Sequence, residues 1–298
     1  MQITKHRDKC DKITTMKKIV LIHSKEQLVH LLDANIKDFI FGLDQFTAIG
    51  VGKINQTVFD EMIELCQTNN ASVYALANIP IHEFELDAFK AFLMHYDTCE
   101  VIKSYLVSDY SALQFKREGF FCKDLIYSPD TLVTNSADKQ TFYDLGYSGT
   151  WIAPELSIGE TVNLLGNDTK DLVQVFGYIK TSNSKRQLLT NYAHQLNQDL
   201  PIHNNDQLTL IEETRKQKMP IIENDNGTTI FTDFVLYDPK RLAQLKQCLG
   251  MVYSALFIDI EDVIAAVNDH ELIHKDNYIL DSYYWESEST IRKEVNEK

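Results

Sequence analysis

The usual cofactor signatures are missing from this sequence. No G-x-G-x-x-G or Walker loop follows an apolar run, so the commonest dinucleotide and nucleotide cradles are not supported. No G-x-S-x-G elbow occurs. The five cysteines (Cys10, Cys66, Cys99, Cys122, Cys248) are odd in number, widely spaced and free of any C-x-x-C, which argues against a disulfide framework or a zinc knuckle and reads as free thiols in a reducing cytosol. No apolar run approaches the ~20 residues a membrane helix needs. No secretory apolar region follows the first Met, so the expected location is cytoplasmic, with no membrane contact. Positive charge is also scarce. The formal net charge of −14 disfavours an autonomous nucleic-acid binder, which needs a basic face to displace counterions from phosphates.

What is present is a rhythm of short apolar runs, turns and amphipathic stretches along a 298-residue chain. Strands are expected at 19–22, 39–42, 72–77, 104–107, 125–127, 151–153, 173–179 and 254–260. Helices are expected between them at 25–34, 57–68, 83–95, 112–118, 138–145 and 157–165, with a last one at 261–267. Eight strands alternating with helices imply parallel pairing, and a closed ring of that kind takes about 250 residues. The fold class expected is therefore α/β, a TIM-like (β/α)8 barrel. Three strand-like pieces at 208–211, 220–223 and 228–231 break the rhythm, and Asn224-Asp225-Asn226-Gly227 marks a tight turn between the last two. This predicts a β-hairpin inserted before the final barrel strand. Residues 1–15 are polar and aperiodic and read as a flexible N-terminal tail; residues 16–298 read as one domain.

In such a barrel, chemistry gathers at the carboxyl ends of the strands. That rule nominates Asp44, Asn78, Asp109, Asp130, Glu155, Lys180 and Asp259. The bland alternative is that these Asp and Asn residues cap the following helices. Glu155, Asn78 and Asp109 are carried forward as catalytic candidates. Glu155 stands out because it sits between Trp151-Ile152-Ala153-Pro154 and the expected cap Ser157. His270-Glu271-Leu272-Ile273-His274 matches H-E-x-x-H, in which two helical histidines one turn apart hold zinc and the Glu serves as base. Glu294 is a conceivable third ligand. Asn268-Asp269 reads as a helix end just before the motif and polar residues follow it, so no metal is assigned. Glu212-Glu213 are read as strand residues facing opposite ways, and so not an acid–base pair.

Three stretches together resemble the peptidase U32 family, also called collagenase-like proteases. Trp151-Ile152-Ala153-Pro154-Glu155-Leu156-Ser157 is similar to that family's apolar strand followed by Glu-Leu-Ser. Gly177 to Tyr192, with Ser184, Arg186, Leu188, Leu189 and Thr190, is similar to its glycine followed by Ser-x-Arg-x-Leu-Leu-Ser. Glu213-Thr214-Arg215, Pro220-Ile221 and Gly227-Thr228 are similar to its Glu-x-x-Arg, Pro-Ile and Gly-Thr hairpin. The departures are specific. Lys180 and Gln187 stand where many members have cluster-binding cysteines, and Ile49 stands where an Arg is usual. The resemblance thus implies the short bacterial branch that holds no iron–sulfur cluster, because a cluster needs thiolate ligands.

The family name implies peptide-bond hydrolysis without an agreed catalytic constellation. Related members are implicated in oxygen insertion, including prephenate-dependent 5-hydroxylation of the tRNA wobble uridine. The resemblance therefore implies three alternatives: a clusterless partner of a longer U32 sibling in that hydroxylation, a collagenase-like peptidase, or a non-catalytic scaffold for the sibling. In the first, tRNA is reached only through the complex. A small dicarboxylate such as prephenate would be held by Lys180, Ser184, Arg186 and Arg215 through charge-assisted bonds.

Overall fold

A computed structural model describes residues 16–129, 133–165, 170–214, 217–245 and 248–286. The elements run β1 (Lys17–Leu21), α1 (Lys25–Asp33), β2 (Asp38–Phe41), α2 (Gln56–Thr68), β3 (Ser72–Ala77), α3 (Leu86–His95), β4 (Ile102–Val107), α4 (Tyr110–Arg117), β5 (Asp124–Tyr127), α5 (Ser136–Leu145), β6 (Gly149–Ile152), α6 (Ile158–Leu164), β7 (Leu172–Ser184), α7 (Leu188–Gln195), β8 (Thr209–Ile211), β9 (Lys218–Asn224), β10 (Gly227–Tyr237), β11 (Gly250–Ser254), α8 (Ile260–Val267), β12 (Leu280–Asp281) and α9 (Tyr283–Glu286).

Strands β1 to β7 pair in sequence, all parallel, and β11 slots between β1 and β7 to close an eight-stranded ring. The period-two pattern of the strands explains how this ring fills. Ile19, Ile40, Leu106, Ile126, Leu172 and Val252 point inward and meet in one interior cluster. The alternate residues, such as Val20, Phe39, Phe41, Val73 and Tyr105, point outward and form the larger core under the helices. Phe59 of α2 is fully buried there, edge-on to Phe41, Phe92 and Tyr96. Burial of such a ring stabilises by roughly 1.5–3 kcal/mol.

The helices begin where the sequence supplies caps. The side chains of Ser24, Asn55, Asp109, Asn135 and Ser157 each accept a backbone N–H from the first turn that follows. Ser157 and Glu160 form a reciprocal capping box, with Ser157 N–H donating to Glu160 at 2.9 Å. That box sits two residues past Glu155 and fixes the loop that carries it.

The hairpin precedes the last barrel strand, as expected, but it is built on a longer frame. β7 runs on past the ring to Ser184, and its outer half pairs antiparallel with β10, which pairs in turn with β9. Gly177 stands at the departure point with φ of +110°, and a Cβ there would meet the Ser254 side chain at 2.8 Å. The hairpin tip is tied across the mouth: Asn224 donates to the Gly50 carbonyl at 2.8 Å and Asn226 to the Thr47 carbonyl at 2.9 Å. Val51, Ile222, Phe231 and Leu256 form a satellite cluster beneath it.

Two expectations are corrected. The eighth strand is 250–254, not 254–260; Phe257 adopts φ of +62°, which no strand accommodates, and the apolar residues after Ser254 form a packed loop instead. Glu212 and Glu213 lie beyond β8, in a turn region rather than on a strand. Among the described residues no helix is long and apolar enough to cross a membrane. The tail expected over 1–15, together with Asp130, Arg215 and Glu294, lies outside the described residues.

Candidate functional site

The carboxyl ends of the strands surround a cavity of about 130 Å³. At ~10–15 Å³ for each enclosed water, that is space for on the order of ten water-sized groups, and the open side lets a larger ligand extend outward. Its apolar wall comes from Leu21, Ile49, Leu76, Val133 and Trp151; its polar groups come from His23, Asn78, Ser128, Glu155, Gln174 and Lys180. The mixture of an apolar wall with a few convergent polar groups is the usual make-up of a small-molecule site.

Glu155 lies on the loop after β6, and its Oε2 is shielded from solvent with no hydrogen-bond partner. Burial raises its carboxyl above the ordinary range, opposed by a backbone hydrogen bond and by the Lys180 ammonium. Lys180 reaches the same cavity from the outer half of β7. Asn78, just past β3, also lines it, while its Oδ1 accepts the Ala48 N–H at 3.0 Å. Three candidates from three strand ends thus converge.

The others do not. Asp109 is a working cap: Oδ1 accepts Ser111 N–H at 2.8 Å and Oδ2 accepts Ile81 N–H at 3.0 Å. Asp44 is similarly occupied, taking Ile54 N–H at 2.6 Å. Ser184 Oγ accepts Arg186 N–H at 3.2 Å, and Arg186 is exposed; neither lines the cavity. The H-E-x-x-H residues lie beyond the end of α8 in non-helical chain, so His270 and His274 do not share a helix face. Glu271 pairs with Lys275 at 2.5 Å.

One residue of the site has no motif to announce it. His23 follows β1, is 7% exposed, and its Nε2 has no hydrogen-bond partner although the ring lines the cavity. Burial lowers its pKa to about 4, with Lys53 adding to the effect and a hydrogen bond to the Ile49 carbonyl opposing it. The imidazole is therefore neutral at physiological pH. The rule of strand carboxyl ends that nominated Asn78 and Glu155 also reaches His23 when it is applied to β1.

The donor set does not fit an iron–sulfur cluster. Lys180 and Gln187 offer no thiolate, and among the described residues no cysteine joins a group of three possible metal ligands.

A sequence model of peptidase family U32 matches residues 23–259, which runs from just after β1 to the residue before α8 and holds the other seven ring strands. The chain belongs to peptidase family U32. No curated protein matches it. Among solved structures it is similar to the U32 peptidase Mk0906, with 10% identity and a TM-score of 0.52, over 86% of this chain and 97% of that one. At that identity the likeness concerns the fold alone. Two spore cortex-lytic SleL enzymes are also similar. That of Bacillus cereus has 11% identity and a TM-score of 0.41, over 90% of this chain and 75% of that one. That of Bacillus megaterium QM B1551 has 8% identity and a TM-score of 0.43, over 90% and 76%. The U32 match contains the Glu155 loop, the outer half of β7 and the hairpin, the stretches that carry the sequence resemblance.

Proposed function

We propose that this U32 protein binds a small carboxylate of prephenate's class in its barrel mouth, as the clusterless partner of a longer U32 sibling in 5-hydroxylation of the tRNA wobble uridine. The observation that carries the reading is the cavity itself: an apolar wall that includes Trp151, with Lys180 and Glu155 at its polar side. The Lys180 ammonium pairs with a ligand carboxylate. Glu155 presents Oε2, shielded and without a partner, to the same space, and burial shifts its carboxyl toward the form that can donate to a second ligand oxygen. Neutral His23, whose other ring nitrogen donates to the Ile49 carbonyl, accepts at Nε2 without introducing charge. Trp151 and Leu76 exclude water from the ring face. The acidic chain supports a tRNA contact made through the sibling rather than alone.

The decisive experiment deletes the gene and quantifies 5-hydroxyuridine derivatives in tRNA by mass spectrometry. Loss of the modification is expected, and an unchanged level sinks the reading. For the purified protein, calorimetry with prephenate should show binding that weakens at least tenfold in Lys180→Met.

Peptide hydrolysis is the second reading, supported by the family name and by an open cleft of about 670 Å³ beside the mouth, bordered by Asp44, Phe84, Lys185 and Asn226. Among the described residues the cavity wall has no serine or cysteine hydrogen-bonded to a histidine. Incubation of well-folded protein with gelatin or casein decides it, with Glu155→Ala as the control.

A further inference from the structure

We propose that Asp259, Asp262 and His274 form a binding site for one divalent transition-metal ion of the zinc class, outside the cavity and independent of the function assigned to it. The three residues each offer one ligand atom, all within 4.8 Å of one another. His274 Nδ1 lies 3.3 Å from Asp262 Oδ2 and 3.8 Å from Asp259 Oδ2. Ligands bound tetrahedrally at about 2.0–2.2 Å stand roughly 3.4 Å apart, so a small closure of the half-exposed Asp259 side chain completes the set.

Asp262 makes this more than a group of acidic residues. Its side chain is 0% exposed, and Oδ1 accepts the backbone N–H groups of Ile273 at 2.6 Å and His274 at 2.9 Å. Oδ2 has no hydrogen-bond partner and is aimed at His274. A buried carboxylate oxygen left without a donor is costly. The 3.3 Å contact with Nδ1 lacks hydrogen-bond geometry, and a cation shared by the two atoms satisfies both.

Asp259 points the same way. It occupies the cap position of α8, yet its side chain caps no helix N–H. It turns instead to Tyr278, whose hydroxyl donates to Oδ2 at 2.9 Å. Both carboxylates are therefore held by second partners, as metal-binding carboxylates usually are. The start of α8 carries about half a positive charge, which opposes a cation, but two carboxylates outweigh it. Mixed imidazole and carboxylate donors suit zinc, cobalt or manganese rather than calcium. His274 and Asp259 are partly exposed, which gives the ion a way in and leaves a position for water.

The test uses full-length protein stripped with a chelator and titrated separately with Zn²⁺ and Co²⁺. One equivalent should bind. Affinity should fall at least tenfold in His274→Ala and in Asp262→Asn and stay unchanged in His270→Ala. The Co²⁺ adduct should lack a thiolate charge-transfer band. Absence of saturable binding, equal weakening by His270→Ala, or a thiolate band overturns the proposal. Because Asp262 is buried and its variant can fail to fold, the half-exposed His274 variant decides the matter alone if needed.

Discussion

Glu223 offers the sharpest test of how the hairpin and α7 are held together. The residue is 1% exposed, in β9, and its carboxylate is a four-donor hub. Oε2 accepts Leu189 N–H and the Thr228 hydroxyl, both at 2.7 Å; Oε1 accepts Thr190 N–H at 3.1 Å and also the Thr190 hydroxyl. These donors keep its pKa below the ordinary glutamate value despite burial. Glu223→Gln replaces one oxygen by an NH₂ group that cannot accept. A threonine hydroxyl can rotate to accept from it, but one backbone N–H at the start of α7 is left without a partner. An orphaned buried N–H costs about 1–3 kcal/mol, and loss of charge assistance adds to it, so about 2–4 kcal/mol is expected. The cost should be local. Amide hydrogen exchange should accelerate by roughly 30-fold to 700-fold over 188–195, at about 1.4 kcal/mol per tenfold, while β1 to β6 keep their protection. The depressed pKa gives the pH sign: the stabilisation is present above about 4.5 and is lost as pH falls through the folded value. A change in α7 exchange of less than fivefold in Glu223→Gln would refute this account of the hub.

Four further outcomes follow from other sites. The buried Lys139–Asp171 pair, 2.6 Å apart, should make Lys139→Met cost about 3–5 kcal/mol in urea titration, with Asp171→Asn added to it restoring more than half. His23 is neutral when folded and protonates more readily when unfolded, so stability should drop as pH falls from 6.5 toward 4 by about 3 kcal/mol, a slope that His23→Gln should remove. Glu155 has the opposite shift, so Glu155→Gln should raise the melting temperature at alkaline pH and lose that advantage on acidification. In thiol labelling near pH 8, exposed Cys122 should react while Cys66 and Cys248, both pushed up to about 12 by burial, should not.

Much of the ring was legible because its strands are short and alternate, and because serine and asparagine caps mark the helix starts. The turn at Asn224 to Gly227 was legible for the same kind of local reason. The last barrel strand was not, because Gly250-Met251-Val252-Tyr253 is no more apolar than Ala255-Leu256-Phe257-Ile258. What separates them is tertiary: a Cβ on residue 250 would strike Ile19 at 2.3 Å, and Phe257 turns the chain out of the sheet. The outer half of β7, Lys180–Ser184, is polar and exposed and is held by pairing with β10 rather than by burial, so no hydrophobic period reveals it. Within the candidate site, Glu155 stood out through its neighbours, whereas His23 is a lone histidine whose significance comes from two unsatisfied groups, its own Nε2 and Glu155 Oε2, meeting one cavity.

The position of β11 has a consequence for how the chain reaches this state. Its neighbours in the ring are β1 and β7, so the first strand made waits for the last. Until residues 250–254 leave the ribosome, an arc of seven strands presents two unpaired parallel edges, each a template for another chain. Contacts of such long sequence separation form slowly. The nascent protein is therefore most exposed to aggregation in the interval between β7 and β11, the interval in which the hairpin is synthesised and can cover the β7 edge on its outer half alone.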